Sequence, residues 1–266
     1  MEFNFRIFQK CPMEFNLSIG ITTFEARFDK YFVPLISKLS EYNNCNEIIV
    51  TVNGENNRDF GEEYRKRILE LISSKSSIYP IIFPTFRGLS KLWNSIIIHS
   101  TNDYVLILND DTMITKPNYI EKIKKAIHNN NGKSFLINNS WSHFVVNKKE
   151  IEELGYFDER LLGIGEEDGD MTWRYIHKYG EAIKKYSMSE FVNYANETVD
   201  IYKPINIKCH SNTKYSLFNR SFMFTHKYRA VSNGIKGMFD YPVELHDPGP
   251  EQYPNEKFYQ IRKNEL

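Results

Sequence analysis

The sequence is poor in several features, and each absence narrows its function. Cysteine is scarce: the three residues Cys11, Cys45 and Cys209 are odd in number and lack C-x-x-C spacing. That excludes a disulfide framework and a structural zinc site, and it suits a reducing compartment. Charge of either sign is not in excess. Acidic and basic residues balance at 34 each, so no global field gathers nucleic acid or holds an anionic membrane, and any polyanion must be bound locally. Long apolar runs are missing too: none approaches the roughly 20 residues that span a bilayer. Met1-Glu2-Phe3-Asn4 lacks the basic and apolar segments of a secretion signal. A soluble, cytoplasmic protein is expected, with at most peripheral membrane contact and no nucleic-acid partner. Asn196 and Asn219 each begin an N-x-S/T triplet, which means nothing without secretion.

What is present is an α/β pattern. At 266 residues the chain has room for one large domain, expected over 17–240 between an N-terminal leader (1–16) and a C-terminal tail (241–266). Leu17 to Thr22 reads as a strand, Arg27 to Tyr42 as a helix, Glu47 to Val52 as a second strand ended by the turn types Asn53-Gly54. A helix near Glu62 to Ser73, a short strand at Ile81 to Phe83 and a helix from Leu89 to His99 follow. Tyr104 to Leu108 is a continuous apolar run of the kind buried on both faces of a parallel sheet. A helix over Pro117 to Asn129, strands at Ser134 to Asn138 and His143 to Asn147, and a helix beginning near Glu166 complete the regular part. Alternation of this kind predicts a layered α/β sheet. Aromatics make up 15% of the chain, more than a core needs, and sugar-binding clefts use aromatic faces, although core packing is their commoner role.

Two acidic clusters carry the chemistry. Asn109-Asp110-Asp111 sits directly at the end of the Tyr104–Leu108 run. Open α/β sheets bind ligands beyond the carboxyl ends of their strands. Adjacent carboxylates there repel unless a cation is shared, and hard oxygen ligands suit Mg²⁺ or Mn²⁺, which keep positions open for substrate phosphates. The pattern therefore suggests a nucleoside-diphosphate site. The other reading is an Asp-rich turn, since Asn-Asp-Asp-Thr is good turn chemistry. The second cluster is Glu166-Glu167-Asp168-Gly169-Asp170, followed by Arg174. Acidic residues favour a first helical turn, and Asp170 and Arg174 are spaced to pair on one helix face, so capping and pairing are its plain alternatives.

Taken together, Arg87-Gly88-Leu89-Ser90-Lys91-Leu92-Trp93-Asn94, the strand with Asn109-Asp110-Asp111, and Gly155-Tyr156-Phe157-Asp158-Glu159 followed by Glu167-Asp168-Gly169-Asp170 and Arg174 resemble glycosyltransferase family 2. The resemblance covers roughly residues 17 to 180. It implies the GT-A fold, a single mixed and mostly parallel sheet flanked by helices. It further implies a divalent metal, Mn²⁺ or Mg²⁺, a nucleotide-sugar donor, a UDP-sugar first, and inverting transfer to a glycan, lipid-linked or protein-linked acceptor.

By that resemblance Asp111 is the metal ligand of a D-x-D motif whose first position is Asn109 here, and Asp110 faces the donor sugar or ribose. Asp168 is the general base, with Glu167 beside it. A helix N-terminus is expected to hold the pKa of Asp168 down. His210 is a second candidate metal ligand. Thr22, Glu25, Asn53, Lys91 and Asn94 stand where the family binds the donor, Asn53 where it usually has an Asp that reads the base. Trp141, Ser142 and His143 precede the second signature and are candidates to contact the acceptor, with core packing the equal alternative for Trp141. Two other classes stay open. A sugar-1-phosphate nucleotidyltransferase uses similar carboxylates, but its glycine-rich loop is missing from Ile19-Gly20-Ile21-Thr22. A non-catalytic carbohydrate-binding protein could keep the fold alone.

Overall fold

The computed structural model of the chain describes residues 16–42, 47–54, 60–73, 75, 77–161, 163–194, 219–223 and 227. Within them β1 (Leu17–Phe24) leads through a single 3-10 turn and a wide π turn into α1 (Val33–Tyr42). Then come β2 (Ile48–Asn53), α2 (Glu62–Ser73), β3 (Ile78–Ile82), α3 (Leu89–His99), β4 (Tyr104–Asn109) and β5 (Thr112–Ile114). The remainder is α4 (Tyr119–Asn129), β6 (Phe135–Ile137), β7 (Ser140–Asn147), α5 (Lys148–Leu154), α6 (Glu167–Tyr179), β8 (Lys184–Tyr186) and β9 (Phe191–Asn193).

The main sheet has seven strands in the order β3-β2-β1-β4-β7-β6-β8, and β5 pairs with β9 in a separate ribbon. β1, β2, β3 and β4 are mutually parallel, whereas β7 runs antiparallel to β4 and β6. The sheet is therefore mixed and mostly parallel, as expected. Its centre is apolar on both faces: Leu106 and Leu108 point into a core roofed by α1, α2 and α4, while Val105 and Ile107 point into one roofed by α3, α5 and α6. Side chains alternate faces along a strand, so an unbroken apolar run is what burial on both sides requires. In α4 the residues Ile120, Ile123 and Ile127 are buried at helical spacing on the sheet-facing stripe. Close packing of α3 on β1 depends on Gly20, where a Cβ would overlap Ile96.

Differences from the sequence reading are local. β3 begins at Ile78 rather than Ile81 and includes Pro80, which is tolerated because β3 is an edge strand bonded only to β2. The helix expected from Arg27 is α-helical only from Val33. β5, α5, β8 and β9 are additional short elements. The leader up to residue 15 and the tail 241–266 lie outside the described residues. No described helix is long and apolar enough to cross a membrane.

Candidate functional site

Parallel pairing brings the ends of β1, β2 and β4 together, with Thr22 opposite Asn109 and Phe24 opposite Asn53. A cavity of about 110 Å³ opens there, lined among others by Thr22, Thr23, Arg27, Asn53, Asn109 and Asp110. Beyond Asn109 the chain turns through Asp110 and Asp111, both buried, before β5. The Asp111 carbonyl accepts the Tyr194 N–H at 3.0 Å, which fastens the turn to the end of β9.

Arg27 spans the two carboxylates. Its Nη2 lies 2.6 Å from Asp110 Oδ1 and 3.0 Å from Asp111 Oδ2, and its Nε donates to Asp110 Oδ1 at 2.7 Å. Thr23 Oγ1 donates to the other Asp110 oxygen at 2.8 Å. The guanidinium also lies over the Tyr31 ring at 4.9 Å and the Phe24 ring at 5.7 Å. Burial pushes the Asp110 carboxyl up, and Arg27 and Thr23 offset that only in part, leaving it at about 6. Burial works against the charge on Arg27 as well, but the two carboxylates outweigh it and its pKa is raised.

The donor chemistry at the turn fits a hard divalent cation. Asp110 and Asp111 offer carboxylate oxygens, and the buried Asn109 Oδ1 and Thr112 Oγ1 have no hydrogen-bond partner among the described residues. Among those residues no group of three or more His, Cys, Asp or Glu side chains is disposed to hold a metal. His210 lies outside the described residues. His143, on β7, is buried and stacked on Phe191, and neither ring nitrogen has a hydrogen-bond partner among the described residues. Burial lowers its pKa to about 4 despite Asp111 nearby, so the ring is neutral.

The second acidic cluster divides in two. Asp170 and Asp158 are structural: Asp170 takes Arg174 Nε at 2.9 Å, Asp158 takes Arg160 Nη2 at 2.6 Å, and the buried Lys227 ammonium bridges both carboxylates. Burial opposes these charges, but the cations win and hold both carboxyls below their ordinary values. Arg174 also donates to the carbonyls of Leu154, the last residue of α5, and of Gly155 and Tyr156 just after it.

Glu167 is left to face the charge of Asp168. Burial first and then Asp168 push Glu167 up to about 8. Asp168 is itself raised by burial, against hydrogen bonds from backbone N–H groups such as Gly169. The expected depression by the helix N-terminus is thus outweighed, because half-burial removes more water than the first-turn amides replace. The approach to α6 is unusual: Gly163, Gly165 and the non-glycine Glu166 all have positive φ, at 61°, 126° and 74°.

Loop and cavity are joined. Leu89 N–H at the start of α3 donates to Gly163 O at 2.8 Å, and Ile164 forms part of the cavity wall. A Cβ on Gly88 would come within 3.0 Å of Leu161 O, so this approach favours glycine. Of the sequence-predicted donor residues, Thr22, Asn53, Asn109 and Asp110 line the cavity. Asn53 also exchanges two hydrogen bonds with the Arg87 backbone, 2.9 and 2.8 Å. Lys91 and Asn94 do not line it: Lys91 stands 3.5 Å from Glu159, and the buried Asn94 amide is spent on both backbone groups of Phe157 and on Glu159. Glu25 is not in the lining either and lies against Gly61. Arg27 was missed by sequence reasoning; the signal for it was the adjacency of β1 and β4, which sets the segment after β1 beside the acidic turn.

No protein-family model matches the sequence, nor does any curated protein. Solved structures do. TarS of S. aureus aligns with a TM-score of 0.52 at 15% identity over 84% of this chain and 47% of TarS. A mannosyltransferase of Pyrobaculum calidifontis, in complex with GDP-Man and Mn²⁺, aligns at 0.53 and 11% identity over 66% of this chain and 56% of that one. Glucosyl-3-phosphoglycerate synthase of Mycobacterium tuberculosis, in complex with Mn²⁺, UDP and glucosyl-3-phosphoglycerate, aligns at 0.51 and 11% identity, covering 70% of this chain and 74% of the synthase. This chain thus spans about half the length of the first two. At such identities the likeness is one of fold, the GT-A fold.

Proposed function

We propose that this chain, a GT-A fold, is an inverting glycosyltransferase that moves a sugar from a nucleoside-diphosphate donor to an acceptor hydroxyl with Mn²⁺ or Mg²⁺. One observation carries the reading: the loop that leads into Glu167-Asp168 also walls the cavity floored by Asn109 and Asp110. The wall residue, Ile164, stands three residues before Glu167, which supports a donor-holding turn and a proton-accepting pair serving one site. The solved neighbours that hold GDP-Man or UDP with Mn²⁺ support it as relatives in fold. A UDP-sugar is the first donor to test, GDP-Man the second.

In this reading Asp111, with Asp110, holds the cation, whose chemistry is to offset charge on the departing diphosphate. Thr22, Thr23 and Asn53 border the nucleotide. Asp168 accepts the proton of the acceptor O–H as that oxygen bonds to the anomeric carbon and the bond from that carbon to the phosphate oxygen breaks. Glu167, held high, carries a proton near neutral pH, so the base role falls to Asp168. A raised carboxylate is a stronger base than an ordinary one. The half-buried Trp141, whose Nε1 donates to Thr172 Oγ1 and whose ring packs edge-on with Phe144 and Phe157, is the candidate face for a glycan, lipid-linked or protein-linked acceptor.

Two variants test the division of labour. Asp111→Ala is expected to abolish metal-dependent donor binding. Asp168→Asn is expected to bind donor normally and lose transfer by roughly 10² to 10⁴, measured by calorimetry and by release of nucleoside diphosphate. Loss of donor binding in a folded Asp168→Asn protein would undo the assignment.

A further inference from the structure

We infer that Arg27 is the resident counter-ion of the Asp110–Asp111 turn, and that it changes partner on donor binding, giving its place between the carboxylates to the divalent ion and turning its guanidinium to the diphosphate. The first half rests on geometry alone; the second rests on the donor-site reading above.

Consecutive buried carboxylates repel, and a cation must stand between them. Arg27 does so, with two contacts to Asp110 Oδ1 and one to Asp111 Oδ2. The guanidinium holds one oxygen of each carboxylate, Asp110 Oδ1 and Asp111 Oδ2, so a divalent ion drawn to the same two side chains meets a positive charge already between them, and the two cations compete. The contacts are unequal. Asp110 is held at both oxygens, by Arg27 and by Thr23, whereas the contact of Arg27 with Asp111 is the longer one at 3.0 Å. The Asp111 contact is therefore the first to yield.

The released group has somewhere to go, because Arg27 lines the same cavity as Asn109 and Asp110. Its root is fixed by the turn after β1, and its face is supported by the Tyr31 and Phe24 rings. A planar five-donor fork held this way suits two phosphate oxygens in a way an ammonium does not. Arg27 thus offsets one of the two negative charges of the bare turn and keeps it ordered, and it makes ion and diphosphate bind better together than either alone.

The test uses the full chain, its Arg27→Ala and Arg27→Lys variants, and Mn²⁺ alone as the first probe, with bound ion followed by electron paramagnetic resonance and melting curves as the check on folding. Arg27→Ala is expected to bind Mn²⁺ at least about tenfold tighter than the unaltered protein, and Arg27→Lys to fall between, since removing the competing cation frees both carboxylates. Unchanged or weaker Mn²⁺ binding in the folded variant overturns the counter-ion role. The second probe is UDP at saturating Mn²⁺, where Arg27→Ala is expected to weaken binding by about tenfold. Equal UDP affinity overturns the partner change. Should Arg27→Ala not fold, Arg27→Lys reads both arms in the same directions. If the unaltered protein binds Mn²⁺ but no nucleotide, the donor-site reading fails, while the Mn²⁺ arm still decides the counter-ion role.

Discussion

At the scale of single residues, burial rather than sequence neighbourhood sets the chemistry. Glu167 and Asp168 adjoin in a first helical turn, and sequence alone suggested that the helix would hold Asp168 acidic, whereas burial raises it. Glu167 is pushed up to about 8. This has a thermodynamic consequence whose sign can be worked out. Between the ordinary carboxylate range and about 8, folded Glu167 holds a proton that the unfolded chain has released, so stability falls as pH rises through that window. Glu167→Gln removes the titration. The melting temperature of the variant relative to the unaltered protein is expected to climb between about pH 5 and about pH 8; a flat difference across that range would show that Glu167 ionises normally. The roles of Arg27 and Lys227 were not legible in the sequence, because each meets its carboxylates only through the tertiary fold, 83 residues away for Arg27 and Asp110, and 69 for Lys227 and Asp158. Asn219, read from the sequence as part of a meaningless triplet, is buried and donates to Gly165 O.

At the scale of elements, what was legible was what had length. β1, β2 and β4 announced themselves as apolar runs, and α2, α3 and α4 by helical spacing. β5, β8 and β9 have three residues each, too few for any period to show. α1 begins late because the chain after β1 is committed to the acidic turn: Arg27 stands at φ −108° and ψ −9°, between a 3-10 and a π turn. Asn94 links two elements, tying α3 to the loop at Phe157. Asn94→Ala strands the Phe157 N–H and C=O in a buried position and is expected to cost about 1 to 3 kcal/mol, read by denaturant unfolding. Because that loop runs on toward Glu167-Asp168, transfer should fall more than donor binding. Loss of less than about 0.5 kcal/mol would mean that the Phe157 groups find other partners.

At the scale of the molecule, the second acidic cluster begins about 55 residues after the first, the loop before it contributes Ile164 to the cavity at Asn109 and Asp110, and Lys227 fastens the second cluster from far down the sequence. Lys227→Ala leaves Asp158 and Asp170 buried without that cation and is expected to destabilise the protein by about 3 to 5 kcal/mol near neutral pH, and by less in acid, where both carboxyls protonate. Both are depressed, so their stabilisation is present above the unfolded value and is lost as pH falls. A neutral effect at pH 7 would remove the network from the account. The fold class, the two clusters and the Asp170–Arg174 pair were thus readable from motifs, strand ends and helical spacing, while Arg27 and Lys227 were not.

The central claim is that the turn after β4 binds a nucleoside-diphosphate sugar through a divalent ion. Calorimetric titration of UDP-sugars and GDP-Man into the full chain, with and without Mn²⁺ and again with Asp111→Ala, tests it directly. The account expects saturable binding of at least one donor that requires Mn²⁺ and disappears in the folded variant. Absence of binding by every nucleotide sugar in the presence of Mn²⁺, or binding that Asp111→Ala leaves intact, would contradict it.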